Sequence, residues 1–237
     1  EYLGEARTSL SGKVRAMLGV GRRTSLTRAA IARLAKVSAM DLARRFIAGT
    51  NAREVLDAVA RTRKLNRAFT LDLLGEAVIS EAEAEQHFRQ YEHLLQSVAP
   101  EVNRWEEIPQ IDRHHRGQLP RMNLSIKLSA LTCRIDAIAP QSALDTAGER
   151  FRQLLRVAKE QHAFINVDME SYEKKNLTLA LFQQILLEEE FRQVADVGIV
   201  LQCYLRDTAD DLEQLAAWAQ RRGTPVWVRL VKGAYWE

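Results

Sequence analysis

Phe164-Ile165-Asn166-Val167-Asp168-Met169-Glu170-Ser171 is an almost unbroken apolar run that becomes acidic toward its end. A strand presents alternate side chains to opposite faces, so a run this apolar has both faces covered, as in parallel sheets packed under helices. On its C-terminal side, residues 177–190 carry a helical pattern and residues 197–205 return to strand. A helix over 208–222 ends at Arg222-Gly223, a good C-terminal stop, and Pro225 then opens Val226-Trp227-Val228-Arg229-Leu230-Val231 as the last strand. On its N-terminal side a strand over 123–131 leads into a helix over 146–160.

Further upstream, Ala68-Phe69-Thr70-Leu71-Asp72-Leu73-Leu74 reads as a strand broken by Gly75, and the capping box Ser80-Glu81-Ala82-Glu83 opens a helix to about residue 98. Residues 100–120 read as a polar connection. Their His114-His115 pair is better explained as a solvated loop than as a metal site, because no third ligand stands at useful spacing. Before the first strand, residues 25–66 are expected to be helical. Leu26, Ala30, Ile31, Leu34 and Val37 begin a stripe that Leu42, Phe46 and Ile47 carry to Gly49. A second helix starts at Asn51, with Glu54 completing a capping box and Val55, Leu56, Val59 and Leu65 as its apolar face.

Alternating strands and helices with right-handed crossovers give an α/β fold. The repeat length suits a (β/α)8 TIM-type barrel, at roughly 30 residues per unit. The expectation is an N-terminal helical arm over residues 1–66, then about the first five units of a barrel over residues 67–237. An open doubly wound sheet is the alternative, but no GxGxxG or GxxxxGK loop follows the first strand. The chain starts at Glu1 and stops at Glu237 straight after a strand, which reads as a piece of a longer protein.

Composition narrows the function. A net charge of +3 over 237 residues, spread along helices, argues against nucleic acid as the main partner. Arg28, Arg33, Lys36, Arg44 and Arg45 read as a solvated helix face. Cys133 and Cys203 stand too far apart for a zinc knuckle and too few for a disulfide framework. No run approaches the ~18 apolar residues of a membrane span, and no signal pattern opens the chain.

The residues that interrupt the apolar strands are Asp72, Lys127, Asp168, Gln202 and Arg229. Helices seal the outer face of a barrel strand, so polar side chains there belong in the lumen or its mouth, where they converge. Internal ion pairs, such as Lys127 with Asp168 or Arg229 with Asp72, are the structural alternative. Barrel active sites lie at strand C-termini, where Asp168-Met169-Glu170, Gln202-Cys203-Tyr204 and Lys232-Gly233-Ala234-Tyr235-Trp236 fall. Lys127, Arg229 and Lys232, only partly answered by Asp168 and Glu170, favour an anionic ligand. Gly233 permits close backbone approach, and Tyr235 and Trp236 add flat apolar surface. Such a set fits a planar anionic cofactor but by itself establishes only a binding site.

Phe69-Thr70-Leu71-Asp72-Leu73-Leu74-Gly75-Glu76-Ala77, Ser125-Ile126-Lys127-Leu128-Ser129-Ala130-Leu131, Leu201-Gln202-Cys203-Tyr204-Leu205 and Arg229-Leu230-Val231-Lys232-Gly233-Ala234-Tyr235-Trp236-Glu237 resemble the proline dehydrogenase domain, in the form found in bacterial bifunctional proline-utilisation flavoproteins. The resemblance implies a distorted (β/α)8 barrel that holds FAD non-covalently, oxidises L-proline to Δ1-pyrroline-5-carboxylate and passes electrons to a membrane quinone. It implies Arg229 beside flavin N5, with Gln202, Val231, Lys232, Gly233, Ala234 and Trp236 as further flavin contacts. Lys127 would face the proline carboxylate, Asp168 would line the pocket, Ala234 and Tyr235 would pack on the proline ring, and Glu76 would gate it. A cytoplasmic setting, peripheral on the inner membrane, and an aldehyde dehydrogenase domain in the same parent chain also follow from the likeness.

The sequence departs from the family in two ways. The family's last strands and its final helix with a Tyr-x-x-Arg-Arg carboxylate clamp do not occur in these residues, so weak or no activity is expected of this stretch alone, and the family's third strand ends more acidically. Two other readings stay open: a flavin-free barrel lyase or aldolase using Lys127 or Lys232 as a Schiff-base amine, and a non-catalytic barrel fragment.

Overall fold

The computed structural model describes residues 47–75, 78–115, 117–133 and 140–233. The expected helices over 25–46 lie outside the described residues, as do Glu76, Ala234, Tyr235 and Trp236. The chain divides into two compact units, residues 1–55 and residues 56–237.

In the first unit, residues 47–49 are not helical, so the upstream stripe does not run on to Gly49 as expected. The chain instead folds tightly at Gly49, where a Cβ would lie 2.4 Å from that of Glu54. Helix α1 (Ala52–Arg63), which passes into the second unit at Leu56, is capped by Asn51 as expected, but Glu54 reaches back to Thr50 instead of to Asn51. Glu54 N–H donates to Asn51 Oδ1 at 3.1 Å, and Glu54 Oε2 accepts from Thr50 N–H at 2.8 Å. Leu65 does not continue the apolar face: α1 has ended, Asn66 turns into the left-handed region at φ 53°, and Leu65 is exposed.

The second unit is built on a parallel sheet of five strands, β1 (Leu71–Asp72), β4 (Met122–Ile126), β5 (Ala163–Val167), β6 (Val197–Gln202) and β7 (Trp227–Val231), ordered β1-β4-β5-β6-β7. This is the expected α/β architecture. The strands are shorter than their apolar runs: β4 gives way to a 3-10 turn over Leu128–Ala130, and β5 stops before Asp168. Polar ends leave the ladder because they carry the loops above the sheet.

Among the described residues, four helices line the apolar side, three of them packing directly on a strand. Helix α2 (Glu81–Arg104) buries Ala84, Phe88, Tyr91, Leu95, Val98 and Val102 at helical spacing and packs on β4. It runs past the expected stop near residue 98, because Pro100 removes one backbone donor without ending the helix. Its start is capped as read, with Glu83 N–H donating to Ser80 Oγ at 3.3 Å. Helix α4 (Pro140–Glu160) packs on β5 through side chains that include Phe151 and Leu154, and against α5 (Tyr172–Leu186), which starts and ends earlier than its pattern. Helix α6 (Thr208–Arg222) packs on β6 and closes on Gly223 at φ 80°.

Residues 105–120 are more ordered than a polar connection. They hold the short helix α3 (Pro109–Asp112) and a hairpin of β2 (Arg113–His114) with β3 (Gly117–Gln118). Asp112 anchors them: both its carboxylate oxygens receive the Arg63 guanidinium at 2.7 Å, and Oδ2 also accepts Ile108 N–H at 2.8 Å. His114 stacks on Trp227 with ring centroids 5.6 Å apart.

Candidate active site

Strand register decides which side chains can meet. Asp72 pairs with Ser125, Ser125 with Asn166, and Asn166 with Gly198, so these positions form one row across the sheet. Alternation then puts Thr70 and Asp72, Ser125 and Lys127, and Asn166 and Asp168 on the face away from the helices. Their neighbours Leu124, Ile126, Ile165 and Val167 are buried on the other face.

On that inner face four of the five interrupting residues converge. Lys127 Nζ lies 3.0 Å from both carboxylate oxygens of Asp72 and 3.7 Å from Asp168 Oδ2. Arg229 Nη1 donates to Ser125 Oγ at 3.2 Å and lies 3.6 Å from Asp168 Oδ1, while Nη2 donates to Thr70 Oγ1 at 3.3 Å. Asp168 Oδ1 accepts from Ser125 Oγ at 3.0 Å and from Asn166 Nδ2 at 2.9 Å. Tyr91 reaches through from α2, its hydroxyl oxygen accepting Lys127 N–H at 3.4 Å. Ion pairs therefore do form, but with partners only partly as anticipated: Lys127 holds Asp72 more closely than Asp168, and Arg229 pairs with Asp168 instead of Asp72.

Burial pushes the Asp168 carboxyl above its ordinary range; Lys127, the Ser125 hydrogen bond and Arg229 resist the rise, and the Asp72 charge adds to it. Glu170 takes no part in the cluster. It is buried and accepts Ser129 N–H at 3.2 Å, with Lys174 Nζ at 3.4 Å. The cluster brings two cations, Lys127 and Arg229, together with two carboxylates, Asp72 and Asp168, so the positive bias expected of the site is balanced within it.

Gln202 is the fifth interrupting residue and stands apart, buried at the end of β6. Its Nε2 donates to Glu170 O at 3.0 Å, and its Oε1 is buried with no hydrogen-bond partner among the described residues. Thr208 Oγ1 holds the Gln202 carbonyl at 2.5 Å. Beyond β7, Lys232 is exposed, and its carbonyl accepts Tyr204 N–H at 3.1 Å. Gly233 does allow close approach, but to a side chain of this chain: at φ 128° its missing Cβ would lie 1.9 Å from the Tyr204 ring.

The sequence reading did not single out Thr70, Ser125, Asn166 or Tyr204. The first three share a signal, since each stands two residues before a charged strand residue, on the same face of the same strand.

A profile of the proline dehydrogenase family matches residues 55–237. The bifunctional protein PutA of Escherichia coli (strain K12) is 27% identical over 186 residues, covering 77% of this chain and 13% of that protein. Proline dehydrogenase 1 of Bacillus subtilis (strain 168) is 29% identical over 195 residues, covering 82% of this chain and 53% of that one. Among solved structures, proline utilization A (PutA) from Bdellovibrio bacteriovorus, inactivated by N-propargylglycine, superposes with a TM-score of 0.84 at 42% identity, over 87% of this chain and 22% of that one. Proline utilization A from Corynebacterium freiburgense gives a TM-score of 0.61 at 32% identity, over 78% of this chain and 17% of that one. The chain thus spans between about an eighth and about half the length of the curated relatives named.

Proposed function

This chain belongs to the proline dehydrogenase family, and on that premise we propose that it carries the proline-binding and part of the flavin-binding half of a (β/α)8 barrel. The reaction is FAD-dependent oxidation of L-proline to Δ1-pyrroline-5-carboxylate, with electrons passed to a membrane quinone. In this reading residues 1–66 form an arm, the barrel starts at about residue 67, and an aldehyde dehydrogenase domain accompanies it in the parent chain. The setting is cytoplasmic and peripheral on the inner membrane; no helix among the described residues is long and apolar enough to cross a membrane.

The observation that carries this reading is the meeting of Lys127 and Asp168, just past the C-terminal ends of β4 and β5, with Arg229 from the middle of β7 on the same face of the sheet. Two features fit a flavin. Gln202 Oε1 is a buried acceptor lacking a partner among the described residues, and Arg229 keeps 38% of its side chain exposed beside it in strand order. When bound, a flavin supplies the hydride acceptor that oxidation of a C–H bond next to nitrogen needs.

The chain's own residues do the rest. Arg229 offers a permanent charge, and a fixed guanidinium stabilises negative charge developing nearby; Gln202, Val231, Lys232, Gly233, Ala234 and Trp236 would be the further flavin contacts. Lys127 takes the proline carboxylate, exchanging Asp72 for the incoming anion, while Asp168 lines the pocket through Oδ2. Ala234 and Tyr235 pack on the proline ring, and Glu76 gates it. Holding the ring carbon in line with its acceptor contributes through orientation. A Schiff-base role suits Lys127 less well, since two carboxylates hold its ammonium in the charged form.

The test is the visible absorption spectrum of the purified parent protein with FAD, before and after anaerobic L-proline. Flavin bands that bleach with proline support the reading. A protein that stays colourless in FAD refutes it.

A further inference from the structure

We propose that Ser125 is a positioning residue that locks Arg229 to Asp168, with Asn166 completing the lock. Both Ser125 and Asn166 are 98% buried, at 2% exposure each, on the inner face of the sheet. A serine hydroxyl has one hydrogen to donate and lone pairs to accept with. Around Ser125 Oγ stand Arg229 Nη1 at 3.2 Å, Asn166 Nδ2 at 3.5 Å and Asp168 Oδ1 at 3.0 Å. Guanidinium and amide nitrogens only donate, so the hydroxyl hydrogen has one destination, Asp168 Oδ1. The proton's direction is thereby set by its surroundings.

The consequence runs both ways. Asp168 Oδ1 receives Ser125 and Asn166 together, so its carboxylate plane is held and Oδ2 is left toward Lys127 at 3.7 Å. Arg229, a long side chain with much rotamer freedom to lose, is tied at Nη1 to a residue 104 positions earlier and at Nη2 to Thr70. Ser125 touches neither substrate nor cofactor in this scheme. It acts through the two residues that the proposed function places there, and its importance for turnover rests on that reading.

Its effect on Asp168 does not, and this separates the two ideas experimentally. The groups facing Asp168 are Ser125 and Lys127 from β4 and its end, Asn166 from β5, Asp72 from β1 and Arg229 from β7. In protein without flavin, carbon-13 NMR titration of the Asp168 carboxyl, assigned with Asp168→Asn, should show its midpoint shifted upward in Ser125→Ala and restored in Ser125→Thr. Ser125→Cys, near-isosteric with a weaker donor, covers a failure of the alanine variant to fold and should fall between. In flavin-loaded protein, Ser125→Ala should lower kcat roughly tenfold with little change in KM, and move the flavin midpoint potential, again with rescue by threonine. An Asp168 midpoint unchanged in both Ser125→Ala and Ser125→Cys overturns the lock, whatever the flavin does. A shifted midpoint in a protein that takes no flavin keeps the lock and removes the proposed function.

Discussion

Lys127 places its ammonium 3.0 Å from both oxygens of Asp72, yet Asp72 is the more exposed partner, 40% against 11%. The lysine is largely buried and its counter-ion sits toward solvent, an arrangement in which the carboxylate is the exchangeable member. Asp72→Asn should therefore strengthen binding of a non-oxidisable cyclic carboxylate and lower the KM for proline. Lys127→Met should weaken both by about tenfold or more, as loss of a charge-assisted contact does. Equilibrium titration of the inhibitor checks the pair; opposite signs are the expected result.

Asp168 is charged only above a midpoint raised from its ordinary 3.8, by burial first and by Asp72 in addition. Proline-dependent reduction that needs the anion should fall as pH drops through that raised midpoint. Asp72→Asn removes the repelling charge and should move this acid limb to lower pH. Asp168→Asn should abolish the limb along with most activity. A kcat/KM profile against pH reads all three.

Glu81 opens α2 and also holds the loop after the 3-10 turn. Burial alone would raise its pKa, but bonds from the Cys133 thiol, Thr132 hydroxyl, Cys133 backbone N–H and Arg150 lower it from 4.5 to about 2. A depressed carboxyl contributes stability that is fully present above its unfolded value and is lost as pH falls through the folded one. Glu81→Gln should thus destabilise near neutral pH and have a diminishing effect between pH 4.5 and about 2. Thermal unfolding across that window is the check.

Arg222 is fully buried, and its guanidinium donates to the carbonyls of Leu186 at 3.0 Å, Phe191 at 2.9 Å and Val194 at 2.6 Å. Burial pushes its pKa down to about 10. Arg222→Met roughly keeps the volume but removes all three of these bonds, leaving the Phe191 carbonyl only its bond from Val194 N–H at 3.0 Å, a loss of roughly 3 kcal/mol in denaturant unfolding.

Gly233→Ala drives a Cβ into the Tyr204 ring and forces an L side chain to adopt φ 128°. Tyr204→Ala should relieve only the collision, leaving backbone strain of about 1–3 kcal/mol. Partial rescue in a double-mutant cycle of thermal stability is the expected outcome; full rescue would show that the backbone conformation costs nothing.

Strand positions, helix caps and the list of interrupting polar residues could be read before any coordinates. Asn51 with Glu54 and Ser80 with Glu83 act locally, over three residues, and sequence displays local contacts directly. Pairing within the site could not be read. Arg229 meets Ser125 across 104 residues and Thr70 across 159, and nothing in a strand's own pattern names a partner so distant. The order in residues 105–120 was hidden for the same reason: Asp112 depends on Arg63, 49 positions away.

The sequence by itself determined that this chain forms a helix-covered parallel sheet with polar residues on its inner face, because alternation and apolar content depend on neighbours one to four positions apart. Tertiary structure alone decided that Lys127 holds Asp72, that Ser125 joins Arg229 to Asp168, and that Glu170 stays outside. Register between distant strands sets which side chains share a row, and charge then selects among those within reach.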